Sequence, residues 1–217
     1  MSTYYVAYLG ILCASLLFSL WAARHDAEVW ILTLLLALAV LTEATVYVMY
    51  YLLALKPQFF AVYHIYIPFE FALLSLYFSR HVHIVLVKKI IAVAIPVFAV
   101  CSVWLTYQNG LFTYPGNNLN LEGFLIIIWA VISLFSIQPK TDVSLFKLPV
   151  FWMSVGVLLY YSGGFFFNFV YQYISSEQSE IVRRLNELVN KGLNFVLYTF
   201  MIISFVCSNR LSKSSRQ

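Results

Sequence analysis

Seven apolar runs divide the chain, and nothing constrains its fold more. They cover approximately residues 3–22, 28–54, 58–79, 84–106, 121–138, 149–173 and 190–208. About 20 helical residues cross the hydrocarbon core of a bilayer, roughly 30 Å thick. A helix also satisfies its own backbone hydrogen bonds, which lipid cannot do for it. Only 10% of the residues are charged, where a soluble domain carries roughly 25%. So few charges cannot cover a water-facing surface. The expected fold is all-α: a polytopic integral membrane protein, a bundle of about seven transmembrane helices forming a single domain over 1–217. Short connections leave no room for a second, soluble domain.

Charge sets the expected orientation. Arg24, Arg80, Lys88, Lys89, Lys140, Lys147, Arg210, Lys213 and Arg216 fall on one side of the predicted spans. Lys56, Arg183, Arg184 and Lys191 fall on the other. The positive-inside rule puts the first group in the cytoplasm, and an odd number of helices then puts the N-terminus outside and the C-terminus in the cytoplasm. No Lys or Arg precedes the first run. A signal peptide needs a positive segment there, so this run is read as a retained helix. Tyr4, Tyr5, Trp21, Trp30, Trp104 and Trp152 sit near the ends of runs, where amphipathic rings meet the headgroups. The net charge of +4 suits contact with anionic membrane lipids and makes no case for nucleic acid.

Two connections carry their own signals. Gln108 to Asn120 holds Gly, Pro and Asn at turn-forming positions and reads as an outer loop. Residues 175–190 read as an amphipathic helix, lying in the interface or extending the seventh span. Ser175 and Gln178 form a capping box, Glu180–Arg184 and Glu187–Lys191 form i,i+4 ion pairs, and Gly192 is a candidate hinge.

Ionisable groups inside a bilayer are costly and mark function by default. Glu43 lies deep in the second run and Glu70 near the middle of the third. Glu122 opens the fifth and is placed at the interface. Tyr47 follows Glu43 by one turn, Tyr66 precedes Glu70 by one turn, and His64 lies nearer the outer end. In the last two runs, Tyr161 and Asn168 form one polar group, while Asn186, Asn190, Asn194 and Tyr198 recur every four residues. The candidate ligand or proton site is therefore Glu43, Glu70, Tyr47, Tyr66, His64, Tyr161, Asn168 and Asn194. The alternative role for such groups is interhelical hydrogen bonding, worth about 0.6–2 kcal/mol per pair. The Gly163–Gly164 pair admits close approach of a neighbouring helix.

Other chemistry has no sequence basis. HExxH, GxSxG and phosphate-binding glycine motifs are absent, so nothing argues for an enzyme. No cofactor or metal is expected. Cys13, Cys101 and Cys207 are far apart in apolar runs and read as small packing residues. His81 and His83 read as part of a solvated basic loop.

The segments YIPFEFALLSLYFSR, LEGFLIIIWAVISLF, FWMSVGVLLYYSGGFFFNF and LNFVLYTFM contain Glu70, Glu122, Trp152, Gly156 and Asn194. In these, the chain resembles uncharacterised small seven-helix membrane proteins of Bacteroidota, some encoded near signalling proteins. The resemblance implies a bacterial inner membrane and a sensory role. The expected function is a receptor-like sensor that binds a small molecule or lipid and signals through a cytoplasmic or membrane partner protein. Alternatives are a small secondary transporter, proton-coupled through the carboxylates, and a structural or assembly subunit.

Overall fold

The computed structural model describes residues 3–24, 26, 28–55, 58–137, 144–174 and 180–214, without the side chains of 3, 4, 168–174, 180–187, 213 and 214. Among these, seven helices are long and apolar enough to cross a membrane. They are α1 (Thr3–Ala23), α2 (Val29–Tyr47), α3 (Phe60–His81), α4 (Val85–Asn109), α5 (Gly116–Phe135), α6 (Pro149–Ile174) and α7 (Glu180–Ser214). A π-helical turn, Val48–Leu52, prolongs α2.

Local chemistry explains where the helices start and stop. Asp26 Oδ1 accepts the Glu28 N–H at 2.9 Å just ahead of α2. Gly110, at φ +92°, ends α4 in a conformation open to glycine. Pro149 is the first residue of α6, where its missing N–H costs nothing. Pro115 immediately precedes α5. The predicted outer loop therefore shrinks to Gly110–Pro115, and residues 116–120 are the first turn of a helix. The predicted interfacial helix also differs: α7 runs unbroken from Glu180 through Gly192, so Gly192 is no hinge. The Ser175–Gln178 cap and the side chains of its ion pairs at Glu180, Arg184 and Glu187 lie outside the described residues.

Packing closes six helices into a ring in the order α1, α2, α3, α5, α6, α7 and back to α1. Helix α4 lies outside it against α3, where the Phe71 and Phe98 rings stack at 4.1 Å. The outward face is apolar on every helix: Leu17, Leu34, Phe69, Val100, Phe124, Leu159 and Phe195 are all exposed. The interior, by contrast, buries Ser15, Ser75, Ser133, Ser154 and Ser204. Lipid accepts an apolar exterior and leaves the polar groups to pack inside. Cys13 is exposed, and Cys101 and Cys207 are half-buried, so the cysteines do not build the core.

Helices α6 and α7 approach most closely at glycine. A Cβ on Gly156 would stand 2.6 Å from Phe200 Cβ, and one on Gly163 would stand 2.7 Å from Leu193 Cδ2. Gly164 faces open space, so one residue of the predicted pair makes the contact.

At the end holding the α1–α2 and α3–α4 connections, Ser208 donates to Asp26 Oδ2 at 2.6 Å. Glu28 pairs with His81 Nε2 at 3.3 Å, while Nδ1 of the same ring lies 3.0 Å from the Tyr77 carbonyl. His81 is thus half-buried and partnered, not a loop residue in solvent. Its hydrogen bond holds the Glu28 carboxyl below the usual glutamate value of 4.5. A lowered carboxylate stabilises the fold above its unfolded value, and that contribution fades as pH falls through the folded one. Glu28→Gln is expected to lower the melting temperature slightly at pH 7 and to match wild type in acid. The pair is half-exposed and so contributes little. Thermal melts across pH check this, and an equal gap at every pH would contradict it.

Candidate functional site

One face of α3 builds most of the site. Tyr63, Tyr66, Ile67 and Glu70 follow i, i+3, i+4, i+7 spacing and line a cavity inside the ring. Helix α2 contributes Ala39 and Glu43, one turn apart, and α7 contributes Asn190, Asn194 and Tyr198 at four-residue steps. Tyr8 of α1, Tyr160 of α6 and Leu119 of α5 close the walls. The cavity has a volume of about 220 Å³. It lies in the half of the bundle that holds the N-terminus, since Phe60 and Pro115 at helix starts also line it.

Glu43 ties three helices together. Its Oε2 accepts from the Tyr5 hydroxyl at 3.3 Å and its Oε1 from the Tyr63 hydroxyl at 3.2 Å. Both bonds are longer than the usual O–H···O distance of about 2.7–2.8 Å. Lys191, from α7, sits near this carboxyl, with its ammonium 4.7 Å from the centre of the Tyr5 ring.

Glu70 lies deeper. The Tyr66 and Tyr161 hydroxyls are its polar neighbours. The Tyr161 hydroxyl and Glu70 are in turn the neighbours of Glu122. Glu122 is 0% exposed, and neither carboxyl oxygen has a hydrogen-bond partner among the described residues. The Tyr161 hydroxyl is unpaired in the same sense. A Cβ on Gly123 would come within 3.2 Å of the Tyr161 ring, so that glycine lets the ring settle against α5.

Below Glu70 the bundle turns apolar. A gap of about 10 Å³ is lined by Leu36, Leu74, Met153 and Met201, among others. Beyond this layer a second cavity of about 280 Å³ opens at the other end of the bundle, lined by Asp26, Glu28, Tyr77, His81 and Ser204 among others.

No family model, curated protein or solved structure matches the chain.

The structure brings Glu43, Glu70, Tyr66 and Asn194 to one cavity and sets Tyr161 beside Glu70. Asn194 turns its amide to Asn190, donating to both its carbonyl and its Oδ1 at 2.9 Å. Two predicted members stand elsewhere. His64 places Nε2 3.0 Å from the Thr113 carbonyl and Nδ1 2.9 Å from the Thr106 hydroxyl. It clasps α3 to α4 and the following loop. Six residues turn a helix by about 240°, which takes His64 off the Glu70 face. Tyr47 packs on Tyr51, ring centres 5.0 Å apart, at the end of α2 rather than in the cavity. The Asn168 side chain lies outside the described residues.

Glu122 is buried inside the bundle, 0% exposed, because α5 begins at Gly116, five residues before the predicted run, and places Glu122 in its second turn. Tyr8 and Tyr160 were not among the predicted site residues. A tyrosine within an apolar run carries the same sequence signal whether it packs against a neighbouring helix or lines a cavity. Among the described residues, no group of three or more His, Cys, Asp or Glu is placed to hold a metal ion. The site has carboxyl acceptors and phenol donors on an aromatic wall. Such a wall can bind a small polar molecule, orient it, and exchange protons with it.

Proposed function

We propose that the protein is a receptor-like membrane module that binds a small molecule in this cavity and passes a helix shift to a partner protein. The observation that carries the reading is the cavity wall, which draws residues from all six helices of the ring. An occupant therefore touches every helix of the ring. A ligand that fits one arrangement of the ring better than another shifts their populations. The charge distribution supports a cytoplasmic C-terminus and an outward-half cavity. The resemblance to small seven-helix proteins of Bacteroidota supports a bacterial inner membrane and a signalling partner. The basic end, with Arg24, Arg80, Lys88, Lys89 and Lys147, suits anionic lipid and an acidic partner surface.

Native mass spectrometry of the purified protein tests the reading. Wild type is expected to retain a small bound species that Glu70→Gln, with an unchanged melting curve, does not. Loosely held lipid alone on both forms would count against a ligand site.

A second reading, a small secondary transporter, draws on the second cavity behind the apolar layer. Two cavities meeting at a closed layer inside one bundle are the parts alternating access needs. Substrate accumulation in sealed vesicles separates the two readings, because a receptor binds without turnover.

A further inference from the structure

We infer that the cavity takes a small organic cation, an amine or quaternary ammonium group seated against Glu70. The inference rests on the binding-module reading and specifies its ligand class.

Charge comes first. Glu43 and Glu70 line the cavity, and among the described residues no Lys, Arg or His does so. The two carboxyls are not equivalent. Glu43 has two tyrosine hydroxyls bonded to it and Lys191 nearby. Glu70 has the hydroxyls of Tyr66 and Tyr161 beside it and no described basic group among its electrostatic neighbours. A carboxyl at a cavity wall, with phenol neighbours and no counter-ion among them, can take a cationic partner.

The walls supply the second argument. Tyr8, Phe60, Tyr63, Tyr66, Tyr160 and Tyr198 all border the space. Aromatic rings attract cations through their quadrupoles, and quaternary ammonium groups are recognised by clusters of them. The chain already shows this chemistry at the rim, where the Lys191 ammonium lies over the Tyr5 ring next to Glu43. A free ammonium in the cavity would meet the same two kinds of partner one step deeper. Leu36 and Leu74 beneath Glu70 suit the methyl or methylene groups around the charge.

Size narrows the class. The volume of about 220 Å³ lies below the roughly 300–1,000 Å³ of sites for drug-sized ligands. A compact amine fits such a space. An anion would meet two carboxyls, with phenol and amide donors on the wall and Lys191 only beside Glu43.

Choline and 3,3-dimethylbutan-1-ol have the same shape and differ in charge, so together they test the inference without a variant. Titrations of the full-length protein in detergent, followed by calorimetry and tyrosine–tryptophan fluorescence, are run with both and with tetramethylammonium and butylamine. At least one cation is expected to bind saturably in the millimolar range or tighter, with the neutral alcohol about tenfold weaker or worse than choline. Glu70→Gln is expected to remove most of that preference, while Glu43→Gln changes it less. Equal binding of choline and the alcohol would overturn the cation inference and leave a small-molecule cavity standing. No saturable binding of any of the three cations would also overturn it. If native mass spectrometry then shows a different species lost in Glu70→Gln, the binding-module reading survives; if it shows none, both fall.

Discussion

Glu122→Leu is expected to make the protein more stable. The wild-type carboxyl is fully buried, and neither oxygen accepts a hydrogen bond from a described group. A buried polar group left unpaired costs about 1–3 kcal/mol, and more when charged. Leucine has a similar volume and no such cost, though it gives the neighbouring Tyr161 hydroxyl no acceptor. The expected gain is about 1–3 kcal/mol, read as a higher melting temperature or denaturant midpoint in detergent. Glu122→Gln should gain less, because its amide needs partners too. Leucine lowering stability would show that the carboxyl makes bonds, through internal water or a bound molecule, that outweigh its desolvation. Its place beside Tyr161 and Glu70 connects it to the cavity.

The architecture was legible because the length and apolarity of the runs decide it. Seven runs near 20 residues with few charges leave a helical backbone few alternatives, and the seven helices follow those runs closely. The boundaries that failed were turn signals with two meanings. Pro115–Gly116 followed by Asn117 and Asn118 reads as a tight turn, yet a proline at that position also starts a helix. Missing the second meaning moved Glu122 from the bundle interior to its edge. Gly192 reads as a hinge, but a glycine among good helix formers costs only about 1 kcal/mol, and α7 continues through it.

Part of the candidate site was legible for a related reason. Glu43, Glu70 and Tyr66 are expensive in lipid, so their number in the sequence already points inward. Helical angle then decides which neighbours share the cavity. Tyr63 and Tyr66 lie on the Glu70 face of α3, and His64 does not. What the sequence cannot supply is which helices adjoin. Tyr8 on α1 and Tyr198 on α7 have ring centres 6.1 Å apart only because the ring closes between the first and last helices. The orphaned state of Glu122 and Tyr161 likewise depends on what packs around them, which no spacing rule encodes.

That closure depends on α6 and α7, and Gly156→Val is expected to disrupt it. A Cβ at position 156 would stand 2.6 Å from Phe200 Cβ, 3.2 Å from Phe200 Cγ and 3.7 Å from the Leu197 carbonyl oxygen. Phe200 Cβ is fixed to the α7 backbone and cannot rotate away, so the helices must separate. Overpacking of this kind costs about 1–3 kcal/mol. Valine, with two further methyl groups, should reach the upper end and alanine the lower. Gly163→Ala meets the end of the Leu193 side chain, its methyls at 2.7 and 3.2 Å and Cγ at 3.6 Å, which can change rotamer, so its loss should be smaller. Gly192→Ala meets nothing within 4 Å and should gain up to about 1 kcal/mol from helix propensity. Denaturation in detergent is expected to rank stability as Gly192→Ala, wild type, Gly163→Ala, Gly156→Ala and Gly156→Val. Tyr160 of α6 and Tyr198 of α7 both line the cavity, so the Gly156 variants should also weaken ligand retention in native mass spectrometry. Gly156→Ala as stable as wild type would mean that the α6–α7 seam is looser than its geometry shows, and that the cavity does not depend on it.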